Sequence, residues 1–158
     1  LYVGRISAEK GIFNFIKMFD EIKTEFEFSI VGNLKKNKLT NNNINLINYV
    51  SDTKKLIDIY DKNNITILPS YTEGSPNVVN ESLSRKRPVI IFEDIDYIVK
   101  DKKGIFVSKR NPKSFFETAK NIIENYENIQ KEMEKNVLPT KKNMIKQISD
   151  IIEGEVFN

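Results

Sequence analysis

Four charged side chains in two short stretches carry the chemistry open to this sequence. Arg5 and Lys10 bracket the turn Gly4-Arg5-Ile6-Ser7-Ala8-Glu9-Lys10-Gly11. Glu73 and Glu81 enclose seven residues in Glu73-Gly74-Ser75-Pro76-Asn77-Val78-Val79-Asn80-Glu81. Two cations beside a helix N-terminus, with its partial positive charge, make a site for a diphosphate. Gly4 lets the backbone turn tightly or come close to a ligand. The plainer reading of this turn is an ordinary strand-to-helix connection with solvated basic residues. Glu81 is placed to accept two hydroxyl hydrogen bonds from a ribose, as the acidic residue of dinucleotide sites does. Its plainer reading is a surface salt bridge with Arg85, one helical turn on.

Other chemistry is excluded. The 158 residues contain no His, no Cys and no Trp. There is no disulfide framework, thiolate nucleophile or Cys-ligated metal. There is no Ser-His-Asp triad, His-ligated metal or imidazole shuttle. Catalysis falls to carboxylates, Lys, Arg, Tyr, hydroxyls and backbone dipoles, or to a residue borrowed from elsewhere.

The elements that position these residues are legible in the apolar pattern. Leu1–Val3 reads as a strand ended by Gly4, followed by a helix over Gly11–Lys23 with Ile12, Phe15, Ile16, Phe19 and Ile22 at helical spacing. A second strand runs from Phe26 to Val31, a polar loop or short helix covers Leu34–Asn43, and a third strand covers Ile44–Val50. Asp52 is placed to cap a two-turn helix over Thr53–Tyr60, whose apolar positions are Leu56, Ile57 and Tyr60. A fourth strand, Ile65–Leu68, is broken by Pro69. Ser75 is placed to cap a helix running to about Arg85, with Pro76 at its first position, where a missing N–H costs nothing. On that helix Asn77, Glu81 and Ser84 share one face, and Val78, Val79 and Leu83 the other. Val89–Phe92 and Ile105–Val107 are strands five and six. Asn111-Pro112 starts a helix with the stripe Phe115, Phe116, Ala119, Ile122, Ile123 and Tyr126. A last helix is expected over Thr140–Ile152, with Met144, Ile145, Ile148, Ile151 and Ile152 on one face and Gly154 ending it. Strands that alternate with helices and are apolar throughout predict an α/β, Rossmann-like, doubly wound parallel sheet of about six strands. Ligands of such sheets sit beyond the carboxyl ends of the strands. These are Gly4-Arg5, Gly32-Asn33, Tyr49–Ser51, Pro69–Ser75 and Glu93–Tyr97.

Three segments in register resemble the group 1 glycosyltransferases (family 4, retaining, GT-B fold). The stretch from Glu73 to Glu81 resembles the family's E-x7-E signature. Tyr2 to Gly11 is similar to its G-R-x4-K-G segment, and Ile98-Val99-Lys100-Asp101 with Gly104-Ile105-Phe106-Val107 to its I-V-x-D…G-L-L-V stretch. The resemblance covers about residues 1–125. It implies the C-terminal, donor-binding half of a two-domain GT-B enzyme, so residues 1–158 read as one nucleotide-sugar-binding domain of a longer polypeptide, with 127–158 its C-terminal helices.

The resemblance also implies roles. Gly4, Arg5, Lys10, Glu73, Gly74, Ser75, Pro76, Asn77 and Glu81 are expected to bind the nucleoside-diphosphate-sugar donor, with Arg5, Lys10 and Glu73 also catalytic. Glu73 falls by the transferred sugar and Glu81 on the ribose. The base falls near Tyr49 and Val50. No metal or cofactor is expected, since the two cations and the helix N-terminus neutralise the phosphates. The sequence departs from the family pattern at Lys86, where a Gly is usual before x-P-V, and at Ser82, where Ala is usual. Asn48 also replaces a common Gly. Glu93-Asp94-Ile95-Asp96-Tyr97 stands in place of Gly-Gly-x-x-E, so its carboxylates are expected to point away from a diphosphate or to meet the acceptor.

A sugar-nucleotide epimerase or phosphorylase-like relative on the same scaffold, and a non-catalytic nucleotide-sugar-binding module, are the alternative readings. The resemblance further implies a glycan or lipid-linked acceptor, bacterial polysaccharide synthesis, and a cytoplasmic protein with peripheral membrane association of the full-length enzyme. The abundance of Asn, Ile and Lys reads as codon bias. A net charge of +3 is too small to argue for nucleic acid.

Overall fold

The computed structural model describes residues 1–22, 24–33 and 41–140, together with Ser149. The described residues form six strands: β1 (Tyr2–Val3), β2 (Phe28–Val31), β3 (Ile44–Ile47), β4 (Thr66–Leu68), β5 (Val89–Phe92) and β6 (Ile105–Ser108). Among them lie the helices α1 (Ile12–Glu21) after β1, α2 (Thr53–Asp61) after β3 and α3 (Asn77–Ser84) after β4, with α4 (Pro112–Glu124) and α5 (Tyr126–Met133) after β6, and a 3₁₀ segment covers Glu93–Ile98.

All ladders are parallel, within one triplet β1-β2-β3 and a second β4-β5-β6. Two backbone bonds join the triplets: the Leu1 nitrogen donates to Ile65 O at 2.8 Å, and Ile67 N–H to Leu1 O at 2.7 Å. The strand order is therefore β3-β2-β1-β4-β5-β6, the doubly wound order whose direction of winding reverses between β1 and β4. The two loops that carry the charged residues leave the sheet from these two strands. Parallel pairing of this kind requires crossovers; α1 lies on that from β1 to β2, α2 on that from β3 to β4 and α3 on that from β4 to β5.

Strand β5 shows why the apolar runs are unbroken. Val89, Ile90, Ile91 and Phe92 are all fully buried, because helices cover both faces of the sheet. Successive side chains alternate between the faces. Ile90 and Phe92 join Phe15, Phe28 and Phe115 on one side, with ring centroids 4.9 Å apart for Phe15–Phe28 and 5.0 Å for Phe15–Phe115. Val89 and Ile91 join Val79, Leu83, Ile95, Ile98 and Met133 on the other. Caps fall where expected on two helices: Asp52 accepts from Lys55 N–H at 2.8 Å, and Asn111 from Ser114 N–H at 2.9 Å, with Pro112 just inside α4.

Several boundaries differ from the sequence reading. β2 starts at Phe28 and β3 ends at Ile47. The helix expected to continue through Tyr126 is interrupted at Asn125, and α5 begins anew. Pro76 precedes α3 rather than opening it. Its ψ of 114° is extended, so the first helical turn starts at Asn77 and α3 has no side-chain cap. Ser75, restricted by the proline that follows it, therefore does not cap. Val78 is half-buried, and Ser82 takes the inner place beside Val79 and Leu83. There its hydroxyl donates to Arg87 O at 2.8 Å and lies 2.7 Å from Thr66 Oγ1, tying α3 to β4. The segment 34–40 and the helix expected over Thr140–Ile152 lie outside the described residues, except for Thr140 and Ser149. Among the described residues no helix is long and apolar enough to cross a membrane.

Lys86, in the turn from α3 to β5, has φ of 53°. A left-handed backbone costs a residue with a Cβ about 1–2 kcal/mol, and Gly gives part of that back as unfolded-state entropy. The side chain's exposed pair with Glu134 offsets little of this. Lys86→Gly is therefore expected to stabilise the fold by about 0.5–1 kcal/mol. That corresponds to a rise of roughly 1–4 °C in Tm; a fall in Tm on thermal denaturation would show that the turn is unstrained.

Candidate functional site

The turn after β1 is pressed against the exit of β4. Gly11, at the start of α1, has φ of 65°, and a Cβ built there would lie 1.9 Å from Pro69 O. Only glycine fits both the backbone and the contact. Tyr71 N–H donates to Glu9 O at 3.1 Å, a second stitch between the same loops. The buried Tyr2 hydroxyl donates to Arg5 O at 2.5 Å. Burial first, then the nearby Glu73 carboxylate, pushes that phenol well above its ordinary range, so it stays a donor.

These contacts deliver Lys10 to Glu73. Lys10 Nζ lies 2.7 Å from Glu73 Oε1, and Ser70 Oγ donates to the same oxygen at 2.6 Å. The Glu73 side chain is 9% exposed and that of Lys10 23%, so the pair is largely withdrawn from water without being sealed from it. Both bonds fall on Oε1; Oε2 accepts nothing from the described residues. The Tyr97 hydroxyl donates to Glu73 O at 2.6 Å and accepts from Glu73 N–H at 3.1 Å, holding the backbone of the same residue from both sides.

Arg110, at the exit of β6, fastens this assembly from below. It donates to Pro69 O at 2.9 Å and Ser70 O at 3.1 Å, pairs with Asp94 at 2.6 Å, and stacks on the rings of Tyr71 and Phe92. The acidic segment after β5 is thereby accounted for. Asp94 is neutralised by Arg110, Tyr97 is bonded to Glu73, and Glu93 and Asp96 are exposed.

Glu81 forms a second group. The Tyr60 hydroxyl donates to its Oε2 at 2.8 Å, leaving Oε1 without a donor among the described residues. The expected salt bridge with Arg85 is not made. Arg85 turns to Asp61 instead, Nε donating to Oδ1 at 2.9 Å and a terminal nitrogen to Oδ2 at 2.5 Å. A bidentate fork to a partner on α2 is geometrically better than a single contact along α3.

Between the two glutamates the backbone is rich in unused donors. The N–H groups of Gly74, Ser75, Asn77 and Val78 bond to nothing among the described residues. Pro76, in the cap position, has no side chain to satisfy them. A Cβ at Gly74 would meet nothing within 4 Å, so neither packing nor positive φ calls for glycine there, and the loop backbone stays approachable. A cleft of about 160 Å³ runs alongside, between Gly74–Pro76 and Tyr97–Lys102. A larger cavity, about 370 Å³, lies at the opposite ends of the strands, walled by Phe15, Phe19, Phe28 and Phe115, and none of the sequence-assigned residues lines it.

The remaining assignments are scattered. Arg5 is mostly exposed, and among the described residues it pairs with Glu9 alone, at 3.1 Å. Arg5 and Lys10 thus bracket the turn with separate carboxylate partners. Gly4 N–H donates to Val31 O at 3.1 Å, and its own carbonyl lies 2.6 Å from where a Gly32 Cβ would stand. The Tyr49 ring is 71% exposed, whereas Val50 packs into the cluster around Leu1, Val31 and Tyr60. Among the described residues no group of three or more acidic side chains is placed to hold a metal. The sequence reading quoted Gly11 within its motif without a role and missed Ser70, Tyr97, Arg110, Tyr60 and Asp61. Ser70 and Tyr97 lie in strand exits it had marked out; Tyr60 read as an apolar position, and nothing marked Asp61 or Arg110.

A parallel sheet of order β3-β2-β1-β4-β5-β6 is that of a doubly wound, Rossmann-like α/β domain, and Glu73, Glu81 and the unbonded N–H groups between them lie by its switch point. The family model for "Glycosyl transferases group 1" matches residues 1–125, and the chain belongs to that family. It is 29% identical over 90 residues to the putative teichuronic acid biosynthesis glycosyltransferase TuaC of Bacillus subtilis (strain 168), covering 57% of this chain and 23% of that one. The chain thus spans about a quarter of this curated relative. Among solved structures it resembles sucrose-phosphate synthase from Thermosynechococcus elongatus, with TM-score 0.76 and 15% identity over 98% of this chain and 44% of that one. It also resembles Anabaena HepE in complex with UDP, with TM-score 0.72 and 14% identity over 97% and 48%. The fold expected from the sequence is thus the one observed.

Gly11→Ala puts a methyl group onto a backbone carbonyl in a left-handed conformation. The expected loss is about 3 kcal/mol, read from the urea denaturation midpoint; an unchanged midpoint would mean that α1 does not rest on β4 as described.

Proposed function

We propose that this domain binds the nucleoside-diphosphate-sugar donor for a retaining glycosyltransferase. The enzyme passes a hexosyl group to a glycan or lipid-linked acceptor. The observation that carries the proposal is the pairing of Glu73 and Glu81. Each has one carboxylate oxygen held by the protein and one left open, on either side of a row of free backbone N–H groups.

A diphosphate suits that row, because the N–H groups of a helix start and the macrodipole both favour an anion. Lys10 flanks the row through Glu73 and is placed to bridge carboxylate and phosphate. Arg5 is held only by an exposed pair, which is worth little, so turning to a phosphate costs little. Glu73 offers Oε2 to the hydroxyls of the transferred sugar, and Glu81 offers Oε1 to those of the ribose. Tyr49 is the free ring for a base, with the Val50 backbone beside it. As the sugar leaves, negative charge builds on the diphosphate. Fixed donors already aimed at that charge supply the electrostatic stabilisation that usually dominates such a step. The cations and N–H groups of the site do this without a metal. The HepE structures in complex with UDP and with UDP-glucose support a uridine nucleotide as the first ligand to try. The acceptor and the group facing it across the cleft belong to a preceding domain, and the chain alone is expected to bind without turnover. A glycan synthesised at the inner face of the cytoplasmic membrane is the proposed setting.

Calorimetric titration of the chain with UDP-, GDP- and ADP-sugars is expected to give saturable binding to at least one. Lys10→Ala and Arg5→Ala should each weaken that binding by about 1–3 kcal/mol, and a chelator should leave it unchanged. No saturable binding to any of the three would refute the proposal, and loss of binding with chelator would move phosphate neutralisation to a metal.

A further inference from the structure

Two adjacent residues at the end of α2 reach across to α3, Tyr60 to Glu81 and Asp61 to Arg85, and neither belongs to the motifs that the sequence singles out. Tyr60 is almost fully buried, in the cluster of Leu1 and Val31. Among the described residues its hydroxyl makes one bond, donating to Glu81 Oε2 at 2.8 Å. Burial first, and then the charge and hydrogen bond of Glu81, hold that phenol far above its ordinary range, so it remains a donor. A rigid, core-anchored donor therefore fixes one oxygen of an otherwise exposed carboxylate. The other oxygen, Oε1, stays open.

Asp61 does a complementary job. Arg85 lies four residues beyond Glu81 on the same helix, where opposite charges normally meet. Asp61 takes it away with a two-bond fork, and also accepts the weaker approach of Arg87 at 3.8 Å. Arg87 is otherwise occupied by Asp61 O at 2.9 Å and Tyr126 OH at 3.1 Å. Arg85, the cation one turn from Glu81, is thus committed to Asp61. A guanidinium on Glu81 would fill the acceptor positions that a vicinal diol needs, since a carboxylate offers a fork only one such partner at a time.

We infer that Tyr60 and Asp61 are positioning residues for donor binding. Tyr60 sets the orientation of Glu81, and Asp61 keeps Arg85 off it, so that Oε1 stays free for the ribose hydroxyls. The inference rests on the ribose role proposed for Glu81, and the experiment separates the two.

Affinities are measured by calorimetry for UDP, GDP and ADP and for their 2′,3′-dideoxy counterparts, and read on whichever base binds tightest. The quantity is the ratio of dideoxy to ribo Kd. In the parent chain this ratio is expected to be about tenfold or more. Tyr60→Phe keeps the buried ring and removes only the hydroxyl; the ratio should fall by roughly three- to tenfold. Asp61→Asn should lower it similarly, because Arg85 is released onto Glu81. The double variant Asp61→Asn/Arg85→Gln should regain most of the parent ratio, which a merely structural role for Asp61 does not predict.

A parent chain that does not distinguish the two nucleotides removes the ribose role of Glu81, and this inference with it. A parent that discriminates, alongside Tyr60→Phe and Asp61→Asn variants that do so equally well, overturns the inference alone. So does an Asp61→Asn defect that Arg85→Gln fails to relieve. Thermal melts of each variant identify any loss caused by unfolding, in which case the Arg85→Gln rescue decides the matter.

Discussion

The backbone seam between β1 and β4 is the constraint on which the rest of this structure depends. Two hydrogen bonds, from the Leu1 nitrogen to Ile65 O and from Ile67 N–H to Leu1 O, turn two parallel triplets into one doubly wound sheet. Helices pack on both faces of that sheet, so its ligands are left with the ends of the strands. At the seam the loops that leave β1 and β4 meet at the carboxyl ends of the strands. Gly11 against Pro69 O, and Tyr71 N–H on Glu9 O, hold the two loops together. Lys10 and Glu73 are 63 residues apart in sequence and meet there because the seam leaves them no alternative.

The charges where these loops meet are arranged for partial satisfaction. Breaking a withdrawn ion pair leaves a charge that the surroundings cannot solvate, so a pair such as Lys10–Glu73 fixes geometry more than it adds stability. Ser70 and Tyr97 complete the fixing of Glu73, one on the carboxylate and one on the backbone. Glu81 is treated in the same way by Tyr60. In both cases the protein satisfies one oxygen and leaves its fellow to solvent or ligand. A site built for stability alone would close both, and the free N–H groups from Gly74 to Val78 would be capped. Ser75 is adjacent and does not cap them.

Much of this was legible in the sequence, for a physical reason. A parallel sheet covered on both faces demands unbroken apolar strands, and Val89–Phe92 shows that demand without ambiguity. Helical spacing placed Ile12, Phe15, Ile16 and Phe19 correctly on the core face of α1. The spacing of Glu73 and Glu81 was visible because both sit in one continuous stretch. What the sequence concealed were partnerships between distant segments. Arg85 had an obvious local partner in Glu81, and only the packing of α2 beside α3 shows that Asp61 outcompetes it. Tyr60 read as an apolar position because a phenol's ring obeys helical periodicity while its hydroxyl does not. Lys86 departed from the expected glycine, and the reason for that glycine appeared only as a φ of 53°. The acidic run after β5 looked hostile to a diphosphate until Arg110, from the exit of β6, was found holding Asp94.

The central claim is that the donor's diphosphate lies at the β1–β4 switch point, between the two glutamates. A crystal structure of the chain with UDP or a tighter-binding nucleoside diphosphate tests this directly. The account predicts phosphate oxygens within hydrogen-bonding distance of the Gly74–Val78 N–H groups and Lys10 Nζ, and ribose hydroxyls on Glu81 Oε1. A nucleotide seated in the aromatic-walled cavity at the other end of the strands, or a diphosphate out of reach of both Lys10 and that backbone row, would contradict it.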